Sequence, residues 1–183
     1  MTCSDERLFA RVQQDDRGAF GLLVQRYQNR VYSMALKVLH HQHDAEDASQ
    51  QAFLQVWQKR RLYNPKWHFN TWLYRIVANV CIDEYRRCRR RRPAPDTLLA
   101  SLPAPHSPAQ DYEQQERCRM LTEALQCVPV EARMVLILYY MEGCSYAEIA
   151  NIRGISVHTV KSQLRRAKTL LRQRLNPSNE ATS

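Results

Sequence analysis

Apolar residues recur at a spacing of three to four along most of this chain, and this period constrains its fold more than any other feature. A clear example is Val157, Val160, Leu164, Ala167 and Leu171, which share one face of a helix. No useful stretch alternates apolar with polar residues, as half-buried strands do. Only four of the 183 residues are Gly, which tight hairpins need. The sequence therefore predicts an all-α protein.

The prolines predict where the chain divides. Five of the eight lie between positions 93 and 108, with Ala, Ser and Asp among them. A Pro-rich polar stretch is extended and cannot fill a core. We therefore predict two small helical domains joined by a Pro-rich linker, which reaches about 60 Å over about 18 residues. The predicted divisions are a four-helix domain (1–92), the linker (93–112), a helix-turn-helix domain (113–175) and a tail (176–183).

The first domain contains four one-sided apolar patterns. Because each would leave one face unburied, the four helices are expected to pack against each other. The third helix is expected to run from Asp44 to Arg61, with acids in its first turn and bases at its end, as the helix dipole favours. The fourth is expected to begin near Asn70, a plausible cap, and to continue through Val80.

Charge is strongly segregated. The chain carries a formal charge of +9, with 17 Lys and Arg against 9 Asp and Glu in residues 1–92, and 10 against 6 in residues 113–175. Six arginines crowd into 86–92, and residues 157–174 hold six bases and no acid. A charge run is often only a solvated face, but two basic patches on two domains favour a polyanionic partner.

The same composition limits location and cofactors. The longest apolar run, Met134 to Met141, is too short to span a membrane, and the first residues lack the apolar core of a secretory signal. We expect a cytoplasmic protein without direct membrane insertion. The six Cys lack zinc-knuckle spacing, so we expect small packed thiols. The alternative, a metal bound by His40, His41 and His43, is disfavoured, and we expect no metal and no cofactor.

Residues 143–172 predict a helix-turn-helix. Ser145 and Glu148 have the spacing of a capping box, Gly143 suits a left-handed helix end, and Ser156 can cap the last helix after the turn at Gly154. The last helix opposes its apolar stripe with a basic one, which suits major-groove docking. The alternative is a pair of amphipathic helices without a DNA-binding role. The helix caps, the glycine turn and the basic stripe together favour duplex DNA binding.

Residues 66–87 interleave aromatics, bases and amides. Exposed aromatic rings can stack unpaired bases at about 1–3 kcal/mol each, and Trp67 and His68 are the favoured stacking candidates. For Trp72 and Phe69, the alternative to base stacking is burial in the hydrophobic core. Asn79 and Asp83 lie one helical turn apart, away from the apolar stripe, and could hydrogen-bond a flipped base.

Two long motifs, in the right order, resemble the bacterial sigma factors of the extracytoplasmic-function (ECF) group, group IV of the sigma-70 family. The first comprises Asp44–Asp47, Gln51–Trp57 and Thr71–Asn79, and the second comprises Glu142–Ala150 and Gly154–Ser162. The resemblance covers nearly the whole chain except the linker and tail. It implies a subunit that joins core RNA polymerase and directs promoter-specific initiation, with the polymerase supplying the chemistry. It also implies an anti-sigma factor as a partner, in keeping with a role in stress response.

The resemblance assigns three sets of residues. Those implied to dock on the clamp coiled coil of the largest polymerase subunit are Asp44, Asp47, Gln50, Gln51 and Gln55. Those implied to recognise and melt the −10 element are Lys66, Trp67, His68, Phe69, Asn70, Tyr74, Arg75, Asn79, Asp83, Arg86 and Arg87. Those implied to read the −35 element are His158, Thr159, Lys161, Ser162, Arg165, Arg166 and Lys168. Two residues depart from the family pattern, since relatives commonly have Glu at Gln51 and often Gly at His158.

Two other classes of protein share single features with this sequence. A response-regulator-type DNA-binding protein can carry a similar C-terminal domain, but it would need an α/β receiver where residues 1–92 are predicted to be helical. A metal-dependent nuclease would need carboxylates that converge in a pocket, whereas Asp44 and Asp47 fall in one helical turn.

Overall fold

The computed structural model describes residues 4–91 and 119–175. All regular structure within these two ranges is helical, which confirms the predicted fold class. The predicted linker (93–112) and tail (176–183) lie outside the described residues. The domain boundaries therefore remain predictions.

The described elements follow each other in a simple order. Those before the undescribed stretch are α1 (Asp5–Val12), α2 (Arg17–Leu39), α3 (Gln42–Gln58), a 3₁₀ turn (Arg60–Leu62) and α4 (Phe69–Arg91). Those after it are α5 (119–126 in its described part), α6 (Val130–Tyr140), α7 (Tyr146–Arg153) and α8 (Val157–Leu175).

Side-chain caps fix where α2 and α3 begin. Asp16 Oδ1 accepts a hydrogen bond from the Ala19 amide at 2.9 Å. His41 Nδ1 accepts one from the Asp44 amide at 3.4 Å, so α3 begins two residues before the predicted start. It ends at Gln58 rather than at Arg61, because the chain tightens there into the 3₁₀ turn. A side-chain acceptor at the first turn satisfies amides that lack a helical partner.

The predicted cap of α4 is wrong. Asn70 lies inside the helix, which begins at Phe69, and the Trp72 amide already bonds to the His68 carbonyl at 3.3 Å. The reason is tertiary, because the Phe69 ring is 1% exposed and packs 4.9 Å from the ring of Phe9 in α1. Burial of this aromatic side chain starts the helix one residue early.

The second domain is built around α6. Six of its apolar side chains are buried, and α7 and α8 pack beside it. Gly143 and Gly154 adopt the left-handed conformation, with φ of 67° and 65°, as the turn prediction requires. The capping box of Ser145 and Glu148 is also confirmed, with both reciprocal hydrogen bonds present.

The two domains pack against each other. A single apolar core runs through both, from α1–α4 into α6, α7 and the start of α8. α4 lies along α7 and the first half of α6, and the end of α2 also contacts α6. Among the described helices, none is long and apolar enough to cross a membrane.

Candidate nucleic-acid interface

The outer face of α8 is a continuous basic surface. Lys161, Arg165 and Arg166 are exposed, and none forms an ion pair with another described residue. His158, Ser162 and Lys168 are also exposed, whereas Thr159 is half-buried. Free cations on one helix face are available to offset phosphate charge.

The start of α8 is held by the predicted cap. Ser156 Oγ accepts a hydrogen bond from the Thr159 amide at 3.1 Å, which confirms that prediction. The Ser162 hydroxyl donates to the Thr159 carbonyl at 2.9 Å. One expectation is wrong, because Val157 is 40% exposed and lies outside the buried stripe. Val157 is the first residue of α8, and the buried stripe of this helix begins at Val160.

The capping box at the start of α7 fixes the turn electrostatically. Glu148 Oε2 accepts hydrogen bonds from the Ser145 amide at 2.8 Å and from the Ser145 hydroxyl at 2.7 Å. These hydrogen bonds hold the pKa of Glu148 below its ordinary value. The carboxylate is therefore ionised at neutral pH and holds the first turn of α7.

The aromatic residues before α4 divide into exposed and buried groups. Trp67 is 49% exposed, and Lys66 and His68 are exposed beside it. Phe69 is buried in the aromatic cluster with Phe9 of α1, in agreement with its alternative as a core residue, so its ring is not exposed for base stacking. The sequence favours Trp67 over Phe69 as a stacking candidate, but only the structure shows that Phe69 packs against Phe9, sixty residues away along the chain.

The remaining α4 candidates meet the other domain. Tyr74 is 2% exposed, Asn70 is half-buried, and the other five are exposed side chains. Three of the candidates nevertheless contact α6, α7 or the turn between them: Tyr74 donates to the Glu142 carboxylate, Asn79 accepts from Arg153 at 3.4 Å, and Arg86 donates to Glu131 at 2.9 Å. These contacts join residues that are 45 to 74 positions apart, and no pattern in the sequence predicted them.

The polar face of α3 is the third candidate surface. Asp47, Gln50 and Gln51 are exposed, whereas Asp44 and Gln55 are half-buried. Gln55 Oε1 accepts a hydrogen bond from Lys59 Nζ at 2.8 Å. The surface is therefore largely open to a partner, although its members are not equally accessible.

An apolar groove that the sequence analysis missed borders this polar face. It has a volume of about 590 Å³, and Leu54 beside it is 54% exposed. The residues that line it are Arg17, Phe20, Val24, Gln50, Phe53, Leu54 and Trp57. Leu54 lies outside the buried apolar stripe of α3, and this position was the sequence feature that could have predicted an exposed apolar surface. A polar face with an apolar groove beside it is typical of a protein-binding surface.

One cluster of potential metal ligands lies between α3 and α4. Asp44, Glu84 and Cys88 bring one donor atom each within 4.8 Å of one another. The Cys88 thiol donates to Glu84 at 3.2 Å and to Asp44 at 3.4 Å, and Arg87 forms an ion pair with Glu84. Burial, together with these carboxylates, raises the pKa of Cys88 to about 12. The cluster could hold a cation only after this thiol loses its proton.

Comparison with known families identifies both domains. Residues 23–92 match the family described as Sigma-70 region 2, and residues 118–171 match Sigma-70, region 4. The two matches together cover more than half of the chain. This chain belongs to the sigma-70 family. Its relatives place it in the ECF group, as the sequence motifs implied.

Two relatives match this sigma factor over almost their full lengths. The ECF RNA polymerase sigma-E factor of Haemophilus influenzae is 30% identical, over 95% of this chain and 96% of that protein. The RNA polymerase sigma-H factor of Pseudomonas aeruginosa is 32% identical, over 94% of each.

Two solved structures share the fold of this sigma factor. CnrH, in complex with the cytosolic domain of CnrY, has a TM-score of 0.71 and is 24% identical, covering 95% of this chain and 98% of CnrH. RpoE of Bartonella quintana, in complex with the anti-sigma factor NepR, has a TM-score of 0.66 and is 22% identical, covering 85% of this chain and 96% of RpoE. These likenesses concern the fold alone.

Proposed function

We propose that this sigma factor binds core RNA polymerase and directs it to promoters by contacting DNA at two separated elements. The observation that carries the proposal is the uninterrupted basic face of a capped α8 in a domain that matches sigma-70 region 4. The chain determines which promoters are recognised, and the polymerase catalyses RNA synthesis. It therefore acts as a non-catalytic specificity subunit, in the cytoplasm.

In this proposal α8 reads the −35 element. Its N-terminal half enters the major groove, where Lys161 and Arg165 can reach base edges and Arg166 and Lys168 offset phosphate charge. The other proposed contacts are His158, Thr159 and Ser162. The Ser156 cap supports this role, because it holds the first turn of the helix in a fixed conformation.

The loop before α4 and α4 itself are proposed to capture the −10 element. Trp67 and His68 supply exposed rings for unpaired bases, and Lys66 supplies a charge for the backbone. Asn79 and Asp83 are the proposed partners of a flipped base. The proposed phosphate contacts are Arg75, Arg86 and Arg87. Phe69 contributes by anchoring the start of α4 rather than by stacking.

The polymerase-binding surface is proposed to be the polar face of α3. Asp47, Gln50 and Gln51 are its accessible members, and Asp44 and Gln55 lie at its edges. The groove beside Leu54 gives this surface apolar area to bury, which polar contacts alone would not provide. An anti-sigma factor is proposed as a further partner, since the structural relative RpoE is bound to NepR.

Run-off transcription tests the proposal. The purified full-length chain is added to core RNA polymerase on a pool of genomic fragments, and the transcripts are sequenced. We expect defined start sites that share upstream elements and that vanish when the chain is omitted. Transcripts with unchanged start sites in both reactions would refute the proposed function.

A further inference from the structure

Four side chains that can bind a metal ion meet where the start of α3 packs on the second half of α4. Glu84 and Cys88 lie one helical turn apart on α4, whereas His41, the cap of α3, and Asp44 lie three residues apart. Spacings of three and four residues place two side chains on the same helix face. The Cys88 thiol donates to Asp44 across the contact between the helices, so the two pairs face each other.

The distances among the donor atoms resemble those of a metal coordination shell. Cys88 Sγ lies 3.2 Å from Glu84 Oε1 and 3.4 Å from Asp44 Oδ2, and His41 Nδ1 lies 3.5 Å from the same Asp44 oxygen. A tetrahedral zinc ion holds its ligands at about 2.0–2.3 Å, which places neighbouring ligand atoms about 3.3–3.6 Å apart. The folded chain thus already has several of the distances that a bound ion requires.

The cluster is shielded from water but can be reached by an ion. The side chains of Glu84 and Asp44 are 14% and 20% exposed, and Cys88 is half-buried. Two carboxylates repel each other at this separation, and the thiol that bonds to both is a weak donor. A divalent cation would offset both negative charges more fully than the thiol proton does.

A further contact orients one of the carboxylates. Arg87 forms an ion pair with Glu84, and its Nε donates to Glu84 Oε1 at 3.1 Å. Carboxylates that bind metal ions are commonly held by such outer hydrogen bonds. Because each carboxylate oxygen accepts more than one bond, Glu84 can keep its contact with Arg87 while it binds an ion.

We propose that Asp44, Glu84 and Cys88, with His41 as the fourth ligand, form a binding site for Zn²⁺. The donor set selects this class of cation, since a thiolate and an imidazole suit zinc and its chemical neighbours, whereas Mg²⁺ and Ca²⁺ prefer oxygen ligands. On binding, the ion displaces the thiol proton, which passes to water, and the sulfur coordinates as a thiolate. The proposal does not depend on the proposed function.

A bound ion would join the start of α3 to the end of α4. Asp44 lies at the edge of the proposed polymerase-binding surface, and Arg87 is one of the proposed phosphate contacts. The site therefore lies between two surfaces that are proposed to bind different partners. Because the donors converge only in the folded chain, an ion that binds there stabilises that form against unfolding.

Absorption spectroscopy with Co²⁺, a common substitute for Zn²⁺, tests the site on the full-length, reduced chain. A thiolate bound to Co²⁺ gives a charge-transfer band in the near ultraviolet, and tetrahedral coordination gives strong visible bands. We expect both to appear in the wild type and to saturate at a single ion per chain. Zn²⁺ should abolish them, and an excess of Mg²⁺ should not. A chain without the charge-transfer band would overturn the proposal.

Two cysteine variants show which thiol binds the ion. Cys88→Ser removes the proposed ligand, and Cys127→Ser makes the same change at an exposed cysteine, whose thiol donates to the carbonyl oxygen of Glu123 at 3.7 Å. We expect the charge-transfer band to be lost in Cys88→Ser and kept in Cys127→Ser. A band of wild-type strength in Cys88→Ser would assign the ion to another cysteine and refute this site.

The affinity for Zn²⁺, measured by competition with a chelator, tests the other ligands. Glu84→Gln keeps the shape of the side chain and removes its charge, and Glu123→Gln makes this change in α5, outside the cluster. We expect Glu84→Gln to bind Zn²⁺ at least tenfold more weakly than the control. His41→Asn retains a side chain that can cap α3, and it should also bind more weakly. Affinities equal to that of the wild type would exclude these residues as ligands.

Thermal unfolding separates loss of the ion from loss of the fold. Circular dichroism without metal verifies that each variant is folded. Added Zn²⁺ should raise the Tm of the wild type and of Cys127→Ser, and it should raise the Tm of Cys88→Ser and Glu84→Gln much less. An equal rise in all four proteins would contradict binding at this cluster. None of these measurements uses polymerase or DNA, so failure of the proposed function would be recognised separately.

Discussion

Arg133 of α6 donates a hydrogen bond to the carbonyl oxygen of Val38, ninety-five residues away in the last turn of α2. The arginine belongs to the helix-turn-helix domain, and the valine belongs to the four-helix domain. A single buried guanidinium thus satisfies a carbonyl in the last turn of α2 and two carbonyls, those of Gln126 and Val128, just before α6. Loss of this contact would therefore affect both the free energy of unfolding and the packing of the two domains.

Replacing Arg133 is expected to destabilise the folded chain. Arg133→Met keeps an unbranched apolar stem but leaves three carbonyl oxygens without their donor, and a hydrogen bond from a charged group contributes about 1.5–3 kcal/mol. We expect the free energy of unfolding, measured with urea, to fall by at least about 2 kcal/mol. Arg174→Met, at an exposed site near the end of α8, is the control and should change it little. Equal stabilities would contradict the role of the buried guanidinium.

Acid is expected to destabilise the chain through His40. Burial and the nearby charge of Arg133 lower the pKa of His40 to about 3, from an ordinary 6.5. Below pH 6.5 the unfolded chain binds a proton that the folded chain does not, so stability falls as the pH drops toward 3. One such group contributes up to about 1.4 kcal/mol per pH unit.

His40→Asn is the variant that isolates this effect. His40 has φ of 57°, and Asn tolerates that left-handed conformation. Between pH 7 and pH 5, urea unfolding should show a loss of stability up to about 2 kcal/mol smaller in the variant than in the wild type. If both proteins lose the same stability over this interval, His40 is not responsible.

Arg165→Ala is expected to weaken binding to a −35 duplex by about 1–3 kcal/mol, because the side chain is exposed on α8 and available to base edges. Association with core polymerase should not change. Fluorescence anisotropy with a duplex chosen from the transcription experiment measures the first quantity. Arg174→Ala, at the other end of α8, serves as the control, and an equal loss in that variant would point to a general charge effect.

Asp47→Arg is expected to impair polymerase binding rather than DNA binding, the reverse of the effect of Arg165→Ala. Reversing the charge of an exposed acid on α3 should weaken association with core polymerase by tenfold or more, about 1.4 kcal/mol, while −35 duplex binding is retained. Glu123→Arg makes the same charge change away from α3. If Asp47→Arg and Arg165→Ala impaired the same activity, the division of roles between α3 and α8 would be wrong.

The sequence by itself determined the features that depend on neighbouring residues. The capping box of Ser145 and Glu148, the left-handed Gly143 and Gly154, and the Ser156 cap were all predicted and confirmed. Each is formed by groups within a few residues, so local chemistry is sufficient to specify it. The family motifs rest on the same local patterns, which is why membership could be inferred before the fold was known.

The tertiary structure decided which side chains are accessible. Phe69 and Trp67 are aromatic residues only two positions apart, yet Phe69 packs in the aromatic cluster with Phe9 and Trp67 is exposed to solvent. In the sequence, Arg133 is a single basic residue in an otherwise apolar helix, and only the tertiary structure places it beside Val38. Burial and pairing depend on residues far away along the chain, and the periodicity of a single helix carries no information about them.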